Sequence, residues 1–417
     1  MYRVSYVVVL FALCLLAGTA LGMLWANLAP QTYQDMVELR LIDGFPIGYP
    51  NPDATGFGGR TLTLQYLVNT VFLSLFFLLA GKELWEAVAQ KNGALRGQAA
   101  VVPLGAALGS MVVPVLIYLA IAATTRSADW ADLRAGWMLP AATDLVLVYV
   151  VGRTVFGAKH PALRLLMLVA CTSDIAVVIA LALFNPIGVL RPLWLLVPLG
   201  AALVVWGLFR DVGRDDVLAV RGWKHHMGLA PWLLAGVASW LGVQQAGLHP
   251  ALGLLPILPV IPRASRAFGF FAEAEDYLVD PLNRIAHYLK LPTAAGLFLY
   301  GLTSGGAEFA AYDPATTVSF FALILGKPVG LMAGAVLTAR LFAIGLPRGV
   351  SRADLALMGV VASAGLIVPL LVANTALPGG AVQQAAKLGI VCSLTAAPCA
   401  VLIARAARLG RWKTAAL

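Results

Sequence analysis

Charged residues are scarce in this chain. Asp, Glu, Lys and Arg together make up 12% of its 417 residues, whereas 60% of the residues are hydrophobic. Soluble domains carry about 25% charged residues, because their surfaces face water. A soluble core cannot absorb this much apolar surface, but a lipid bilayer can. The composition therefore excludes an ordinary soluble protein and predicts a polytopic membrane protein.

The chain also has few residues arranged as catalytic or metal sites are. Its four cysteines all lie in apolar runs, without the spacing of metal ligands or of a secreted disulfide framework. No phosphate-binding glycine loop and no nucleophile–base pair lies in a loop long enough to hold an active site. We therefore predict that the protein is not an enzyme and has no cofactor. The net charge of +9 does not indicate a nucleic-acid partner, because the basic residues are distributed over alternate loops.

Long apolar runs recur along the whole sequence. Runs of roughly 17–25 residues can cross a bilayer as helices, and we predict an all-α fold of about twelve such helices in a single membrane domain, residues 1–417. The runs lie at 4–28, 64–90, 97–123, 134–153, 162–184, 190–209, 227–246, 248–262, 281–303, 315–343, 351–376 and 383–407. The run at 248–262 is the least regular, because it contains Pro250, Pro256, Pro259 and Pro262.

Lys and Arg residues are concentrated in every second loop. With the N-terminus in the cytoplasm, the loops on the far side hold only Arg40, Arg60, Arg126, Arg134 and Arg191. Basic loops tend to stay on the cytoplasmic side. The sequence therefore predicts an even number of spans with both termini cytoplasmic. The basic tail, residues 403–417, is predicted to contact anionic lipid headgroups.

The longest connection on the far side, residues 29–64, has the pattern of a small β-hairpin. Apolar and polar residues alternate over 37–43, Gly44 and Pro46 follow, and a stretch rich in Gly, Pro and Asn leads to 61–64. Alternation on both sides of turn residues is typical of paired strands. Because an exposed strand edge can pair with a second copy, we predict an extracytoplasmic hairpin and a homodimer formed through residues 37–64.

Three charged residues stand inside predicted spans: Asp144, Asp174 and Lys327. A charge in the hydrocarbon region costs at least ~2.5–3.5 kcal/mol, so each of them needs a reason. The fourth and eleventh spans are interrupted, by Pro140 and by the Gly- and Pro-containing stretch 359–369. Two broken helices indicate inverted repeats around an ion site at the middle of the membrane. There, Asp144 and Lys327 would neutralise the partial charges of the half-helix ends.

Asp174 has a different environment in the sequence. It follows Thr172 and Ser173 in a span that is otherwise apolar. Small hard cations prefer oxygen ligands, which a carboxylate, hydroxyls and freed backbone carbonyls can supply. A buried carboxylate that binds either a cation or a proton, but not both, exchanges the two by competition. We therefore predict a site for a monovalent cation and a proton at Asp174, completed by Ser173 and Thr172.

Several segments resemble a known family. They are LFFLLAGKE at 75–83, GWMLPAATDL at 136–145, LRLLMLVACTSDIAVVIALALF at 163–184, GLHPALG at 247–253, LGKPVG at 325–330 and AAKLGI at 385–390. In order and content they are similar to the NhaA-type sodium/proton antiporters over nearly the whole chain. The resemblance implies a secondary active transporter of the bacterial inner membrane that exchanges Na⁺ or Li⁺ for protons. By this resemblance Asp174 matches the cation-binding aspartate, Asp144 and Thr143 match the broken-helix pair, and Lys327 matches the lysine.

Other positions match the family less closely or depart from it. Glu83 and His249 match positions that the family associates with the cytoplasmic mouth and the pH response. The family has two adjacent aspartates in its fifth helix, whereas this chain has Ser173 before Asp174. An aspartate of the second helix is replaced by Thr70. Related antiporters with a single aspartate at this place are electroneutral, so the resemblance implies exchange of one proton for one cation.

Two alternatives stay open at this point. Hydroxyl groups that the family has after the glycine of helix eleven are absent from the stretch 365–369. The first alternative is therefore that K⁺, and not Na⁺ or Li⁺, is the transported cation. The second alternative is a transporter of the same fold with another substrate, or a membrane sensor that does not transport. Retention of Asp144, Asp174 and Lys327 argues against a decayed copy, because intramembrane charges without a function are costly.

Overall fold

The computed structural model describes residues 6–45, 47–50, 59–90, 93–125, 130–209, 228–263, 270–278 and 280–412. Predicted features on other residues, among them the loop 210–227 and the end of the basic tail at 413–417, lie outside the described residues. The described part is mostly helical. Its α-helices are α1 (Val7–Leu28), α2 (Pro30–Val37), α3 (Leu64–Leu67), α4 (Leu73–Ala89), α5 (Val101–Thr124), α6 (Trp130–Ala135), α7 (Leu145–Phe156), α8 (Pro161–Phe184), α9 (Leu196–Phe209), α10 (Ala230–Gln245), α11 (Pro281–Ser304), α12 (Pro314–Leu341), α13 (Arg352–Ala362), α14 (Ile367–Ala376), α15 (Ala381–Cys392) and α16 (Ala396–Ala406).

Many of these helices can cross a membrane. Within the described residues, seven are long and apolar enough, and up to nine if each of two bent pairs counts as one span. The hydrocarbon region offers the backbone no hydrogen-bond partner, so these apolar runs are helical. Their outward faces are apolar too; α9, for example, exposes Leu199, Leu203 and Trp206. The chain is therefore a multi-pass membrane protein, and the count of about twelve spans stays a prediction.

The segment 248–262 differs from its prediction. Instead of an α-helix it forms two 3₁₀ turns, Pro250–Leu252 and Leu255–Val260. Proline lacks an N–H group and its ring clashes with the preceding turn. Prolines at this spacing therefore stop an α-helix from forming, although the segment is as apolar as its neighbours.

A small sheet follows α1 and α2. It consists of β1 (Arg40–Phe45), β2 (Tyr49–Pro50) and β3 (Arg60–Thr63) in the order β1-β3-β2, with antiparallel pairs. This confirms the predicted small sheet and adds the short third strand β2. We call the side of the bundle that carries the sheet the sheet side. The end where α1 begins is called the N-terminal end. Dimerisation through the sheet stays a prediction.

Two pairs of helices are bent near the middle of the bundle. The segment Trp130–Ala141, which ends in the 3₁₀ turn Leu139–Ala141, meets α7 at 51°, and α13 meets α14 at 50°. Both breaks fall where the sequence predicted interrupted spans. Helix α14 packs against the 3₁₀ turn of the other pair. The two breaks therefore meet, and we call this place the crossing.

Helices α5 and α12 pack with their backbones in contact. A Cβ atom added at Gly109 would overlap the backbone carbonyl oxygen of Gly330, and one added at Gly330 would overlap that of Gly109. Without a hydrophobic driving force in lipid, helices associate through such close packing of small residues. This contact fixes the position of α12, which carries Lys327.

We therefore expect Gly330→Val to destabilise the protein by about 3 kcal/mol, because the helices must move apart to admit the side chain. The thermal unfolding midpoint of the purified protein in detergent measures the effect. The matched control is Gly207→Val on α9, where an added Cβ meets no atom within 4 Å. Equal midpoints for the two variants would contradict the packing argument.

Candidate functional site: buried charges at the crossing

Asp144 holds the two breaks together. It is the N-cap residue of α7, and its Oδ1 accepts hydrogen bonds from the backbone N–H groups of Val146 and Leu147 at 3.0 and 3.1 Å. Its Oδ2 accepts from Leu366 and Ile367, at the start of α14, at 3.1 and 3.0 Å. One carboxylate therefore serves the N-termini of two half-helices, whose partial positive charges favour an anion.

Lys327 lies on α12 with no exposed surface. Its Nζ donates to the carbonyl oxygen of Ala141 at 2.7 Å and to that of Ser110 on α5 at 3.1 Å. A third bond, also of 3.1 Å, goes to Oγ1 of Thr143. Ala141 ends the 3₁₀ turn before the break, so the ammonium lies at the partial negative end of that turn. Its three acceptors are neutral oxygens.

Asp174 on α8 faces the extended backbone between the turn and α7. It is 2% exposed. Its Oδ1 accepts from the N–H of Thr143 at 2.9 Å, and its Oδ2 accepts from the N–H of Leu145 at 3.2 Å. The break leaves these N–H groups without intrahelical partners, so they are free to bind the carboxylate.

The hydroxyl groups next to Asp174 have different roles. Ser173 is completely buried, and its Oγ contacts the carbonyl oxygen of Ala170 at 3.0 Å and Oγ1 of Thr143 at 3.1 Å. Thr143 therefore connects Ser173 with Lys327. Thr172 is not brought to this group: its Oγ1 has no hydrogen-bond partner among the described residues. Side chains two positions apart on a helix point in nearly opposite directions. Thr172 and Asp174 therefore lie on different sides of α8.

The crossing thus gathers a carboxylate, two hydroxyls and the carbonyls of an extended segment in a water-poor interior. Such oxygens can hold a small hard cation. The same carboxylate can hold a proton instead. Because Asp144 already accepts four backbone hydrogen bonds, Asp174 is the carboxylate better able to change partners.

A second group of charges lies near the N-terminal end. Lys82 on α4 is 3% exposed and forms ion pairs with Glu83 at 3.2 Å, with Glu86 at 3.4 Å and with Glu275. Glu83 also accepts from the N–H of Phe271 at 2.8 Å. Segment 270–278 is therefore fixed to α4 by charge. Glu83 is the one predicted mouth residue in this group.

Apart from Glu83, the residues of this group are not among the predicted site residues. Lys82 lies within α4, inside the predicted span 64–90. The spacing of Lys82 and Glu86 by four residues is the signal that indicates an ion pair on a helix face. Glu275 is distant in the sequence, and only the fold brings it to Lys82.

His249 does not join Glu83. It caps the turn Pro250–Leu252, and its Nδ1 accepts from the N–H of Ala251 at 3.2 Å. That turn packs against the π-helical segment Val68–Phe72 that precedes α4. The same turn also packs against α4, which carries Glu83, and the role predicted for Glu83 and His249 at the cytoplasmic mouth or in the pH response stays a prediction.

We expect Lys82→Met to destabilise the protein by about 3 kcal/mol, because it leaves three buried carboxylates without their cation. Burial, together with Glu83, raises the pKa of Glu275, and Lys82 opposes this rise. A carboxyl whose pKa is higher in the folded state loses stability as the pH rises from its unfolded value of about 4.3 through its folded pKa. With Lys82 present the folded pKa of Glu275 is about 9, so the extra loss in the variant begins above that pH. It is therefore larger at about pH 10 than at about pH 7.

Thermal unfolding at both pH values measures this prediction. Lys159→Met serves as the control, because Lys159 is an exposed lysine and its removal leaves no buried charge. A pH-independent loss in Lys82→Met would contradict the assignment of the effect to the carboxylates.

The fold and the crossing define a multi-pass membrane protein with charged groups held between two bent helix pairs. Comparison with known proteins narrows this class. The family model described as Na⁺/H⁺ antiporter 1 matches residues 8–404. The chain belongs to this family, and the family resemblance stated from the sequence is confirmed. It is a family of antiporters rather than of enzymes.

Two relatives are similar over nearly their full length. The Na(+)/H(+) antiporter NhaA of Jannaschia sp. (strain CCS1) is 44% identical over 411 residues, which cover 97% of this chain and 98% of the relative. Na(+)/H(+) antiporter NhaA 2 of Pelobacter propionicus is 34% identical over 96% of both chains. Among solved structures, the sodium proton antiporter MjNhaP1 of Methanocaldococcus jannaschii at pH 8 is similar with a TM-score of 0.51 and 15% identity, over 96% of this chain and 91% of that one. This last similarity concerns the fold.

Proposed function

We propose that this protein is a secondary active transporter that exchanges a monovalent cation, Na⁺ or Li⁺, for protons. Membership of the Na⁺/H⁺ antiporter 1 family supports the exchange. The observation that carries the proposal at the level of residues is Asp174: a buried carboxylate that faces a backbone break and, among the described residues, accepts hydrogen bonds from the N–H groups of Thr143 and Leu145.

Cation and proton compete for Asp174. When the carboxylate is ionised, a cation takes Asp174 as its charged ligand, and the oxygens of Thr143 and Ser173 complete its shell. When the cation leaves, a proton replaces it. Since one group holds one of the two at a time, each reorientation of the site carries either a cation or a proton. Asp144 and Lys327 position the break and compensate the half-helix ends.

The exchange is one proton for one cation. A second coupled proton would need a group whose protonation changes with cation binding. Lys327 is the nearest ammonium, but its three acceptors are carbonyl and hydroxyl oxygens. Position 173 carries a serine and not a carboxylate that could pair with Lys327. Binding of a cation at Asp174 therefore does not break an ion pair of Lys327.

We also propose the arrangement of the chain in the membrane. The N-terminal end faces the cytoplasm of a bacterial cell, the sheet faces the other side, and about twelve spans form inverted repeats around the crossing. The exposed edges of the sheet pair with a second copy in a homodimer. The basic end of the chain contacts anionic headgroups.

Proteoliposomes with an imposed pH gradient test the function. Addition of Na⁺ or Li⁺ is expected to release the gradient, whereas choline leaves it unchanged, and K⁺ tests the breadth of selectivity. For Na⁺, the rate is expected not to depend on a membrane potential clamped with an ionophore. Absence of flux with all three cations, from protein that unfolds cooperatively, would refute the exchange. A rate that follows the potential would refute the one-for-one ratio alone.

A further inference from the structure

Uncharged polar side chains fill a space between α11, α14 and the π-helical segment Val68–Phe72, on the sheet side of the crossing. Ser304, the last residue of α11, donates from Oγ to Oδ1 of Asn69 at 3.3 Å. Nδ2 of Asn374 on α14 donates to the same Oγ at 3.0 Å. Asn69 is 3% exposed and Ser304 has no exposed surface. We call Asn69, Ser304 and Asn374 the outer polar group.

The backbone around Asn69 is unusual. Val68–Phe72 is a π-helix inserted between α3 and α4, and π-helical turns in α-helices are rare and frequently lie at functional sites. The segment packs against α11. The wider turn therefore places Asn69 against Ser304 in a region where an ordinary apolar span would bury only hydrophobic residues.

The outer polar group contains an unused ligand atom. Oδ1 of Asn374 is buried and has no hydrogen-bond partner among the described residues. A buried acceptor without a partner is costly, so its presence indicates something that it binds during function. Oδ1 of Asn374, Oδ1 of Asn69 and Oγ of Ser304 are neutral oxygens. Oxygens of this kind suit a hard cation, and without a carboxylate they hold it only weakly.

The group also lies in a chain of contacts that reaches the crossing. Tyr300, one turn before Ser304 on α11 and within hydrogen-bonding reach of it, donates its hydroxyl to the carbonyl oxygen of Ile367 at 2.8 Å. The N–H of Ile367 in turn binds Asp144. In the other direction, Asn69 contacts the hydroxyl of Tyr49 in β2. The outer polar group therefore stands between the sheet and the crossing.

We propose that the outer polar group is a transit site for the monovalent cation between Asp174 and the sheet side of the membrane. The site rests on the proposed exchange function and adds three residues to it. A partly dehydrated cation takes the three oxygens as ligands, and the lack of charge keeps its residence short. Binding at this site sets the apparent affinity for a cation that arrives from the sheet side.

The test compares the cation KM from the two sides of the membrane. Exchange is measured in vesicles of both orientations, which are assigned by the accessibility of a tag at the C-terminus. We expect Asn374→Leu to raise the KM for Na⁺ supplied from the sheet side about tenfold, with less than about a twofold change from the opposite side. Asn374→Asp, which keeps the oxygen and adds charge, is expected to lower the sheet-side KM.

Gln383→Leu is the matched control. Gln383 is a half-buried amide that donates to the carbonyl oxygen of Ala373, next to Asn374, but it is not part of the outer polar group. It is expected to leave both KM values unchanged. Equal KM values on the sheet side for wild type, Asn374→Leu and Asn374→Asp would overturn the transit site while leaving the exchange function intact. Absence of exchange in the wild type would instead refute the function itself. Thermal unfolding of each variant establishes that it is folded.

Discussion

Replacement of Asp174 by asparagine is expected to abolish cation-dependent proton flux, down to the level of liposomes without protein. The asparagine side chain has nearly the same shape, but it carries neither the charge that attracts a cation nor a group that takes up the competing proton. One of the N–H groups that now bind the carboxylate, that of Thr143 or of Leu145, loses its acceptor. The defect should appear with Na⁺ and with Li⁺ alike, and at every pH.

The flux assay needs a control for the loss of a buried carboxylate as such. Asp354 provides it: it has no exposed surface and accepts from the N–H and the hydroxyl of Ser351 at 2.8 and 2.7 Å. With Ser351, the N-cap residue, it forms the capping box at the start of α13, away from the crossing. Asp354→Asn is expected to lower stability but to keep exchange. Residual flux in Asp174→Asn comparable with that of Asp354→Asn would show that Asp174 is not the exchanging group.

The sequence identified the charges of the crossing because intramembrane charges are rare and costly. Asp144, Asp174 and Lys327 each stand alone in an apolar run, and proline and glycine mark the breaks. The length of the apolar runs also predicted most helices, since in lipid an apolar run has no other way to satisfy its backbone. The partners of these charges were not predictable, because Lys327 bonds to residues that lie 217 and 186 positions away.

Polar contacts were predicted least well. The outer polar group joins Asn69 with Ser304, 235 positions later, and neither residue belongs to a motif. The π-helix that presents Asn69 has no recognisable sequence pattern. The sequence predicts Thr172 as part of the cation site because it is adjacent to Ser173. On a helix, however, adjacency does not mean a shared face, and its hydroxyl has no hydrogen-bond partner in the described part of the chain.

Ser173→Asp is expected to convert the proposed one-for-one exchange into exchange that moves charge. Ser173 Oγ and Lys327 Nζ both lie 3.1 Å from Oγ1 of Thr143, so a carboxylate at position 173 comes within about 4–6 Å of the ammonium, where the two form an ion pair. A cation that binds between two carboxylates breaks this pair, and Lys327 then releases its proton. Two protons are exchanged for one cation, and the transport rate follows the membrane potential.

Proteoliposomes with Na⁺ gradients and a clamped potential measure this change. Neither the wild type nor Ser173→Asn is expected to show potential dependence. The asparagine has nearly the same size as the aspartate but no charge. Combining Ser173→Asp with Lys327→Met should remove the potential dependence again, because the second proton comes from the lysine. Charge movement that persists in the double variant would mean that another group supplies that proton. Exchange by Ser173→Asp at an undiminished rate, without any charge movement, would mean that Lys327 keeps its proton throughout the cycle. In the proposed mechanism, the stoichiometry therefore depends on the residue before Asp174 and on the hydroxyl of Thr143, which connects that residue with Lys327.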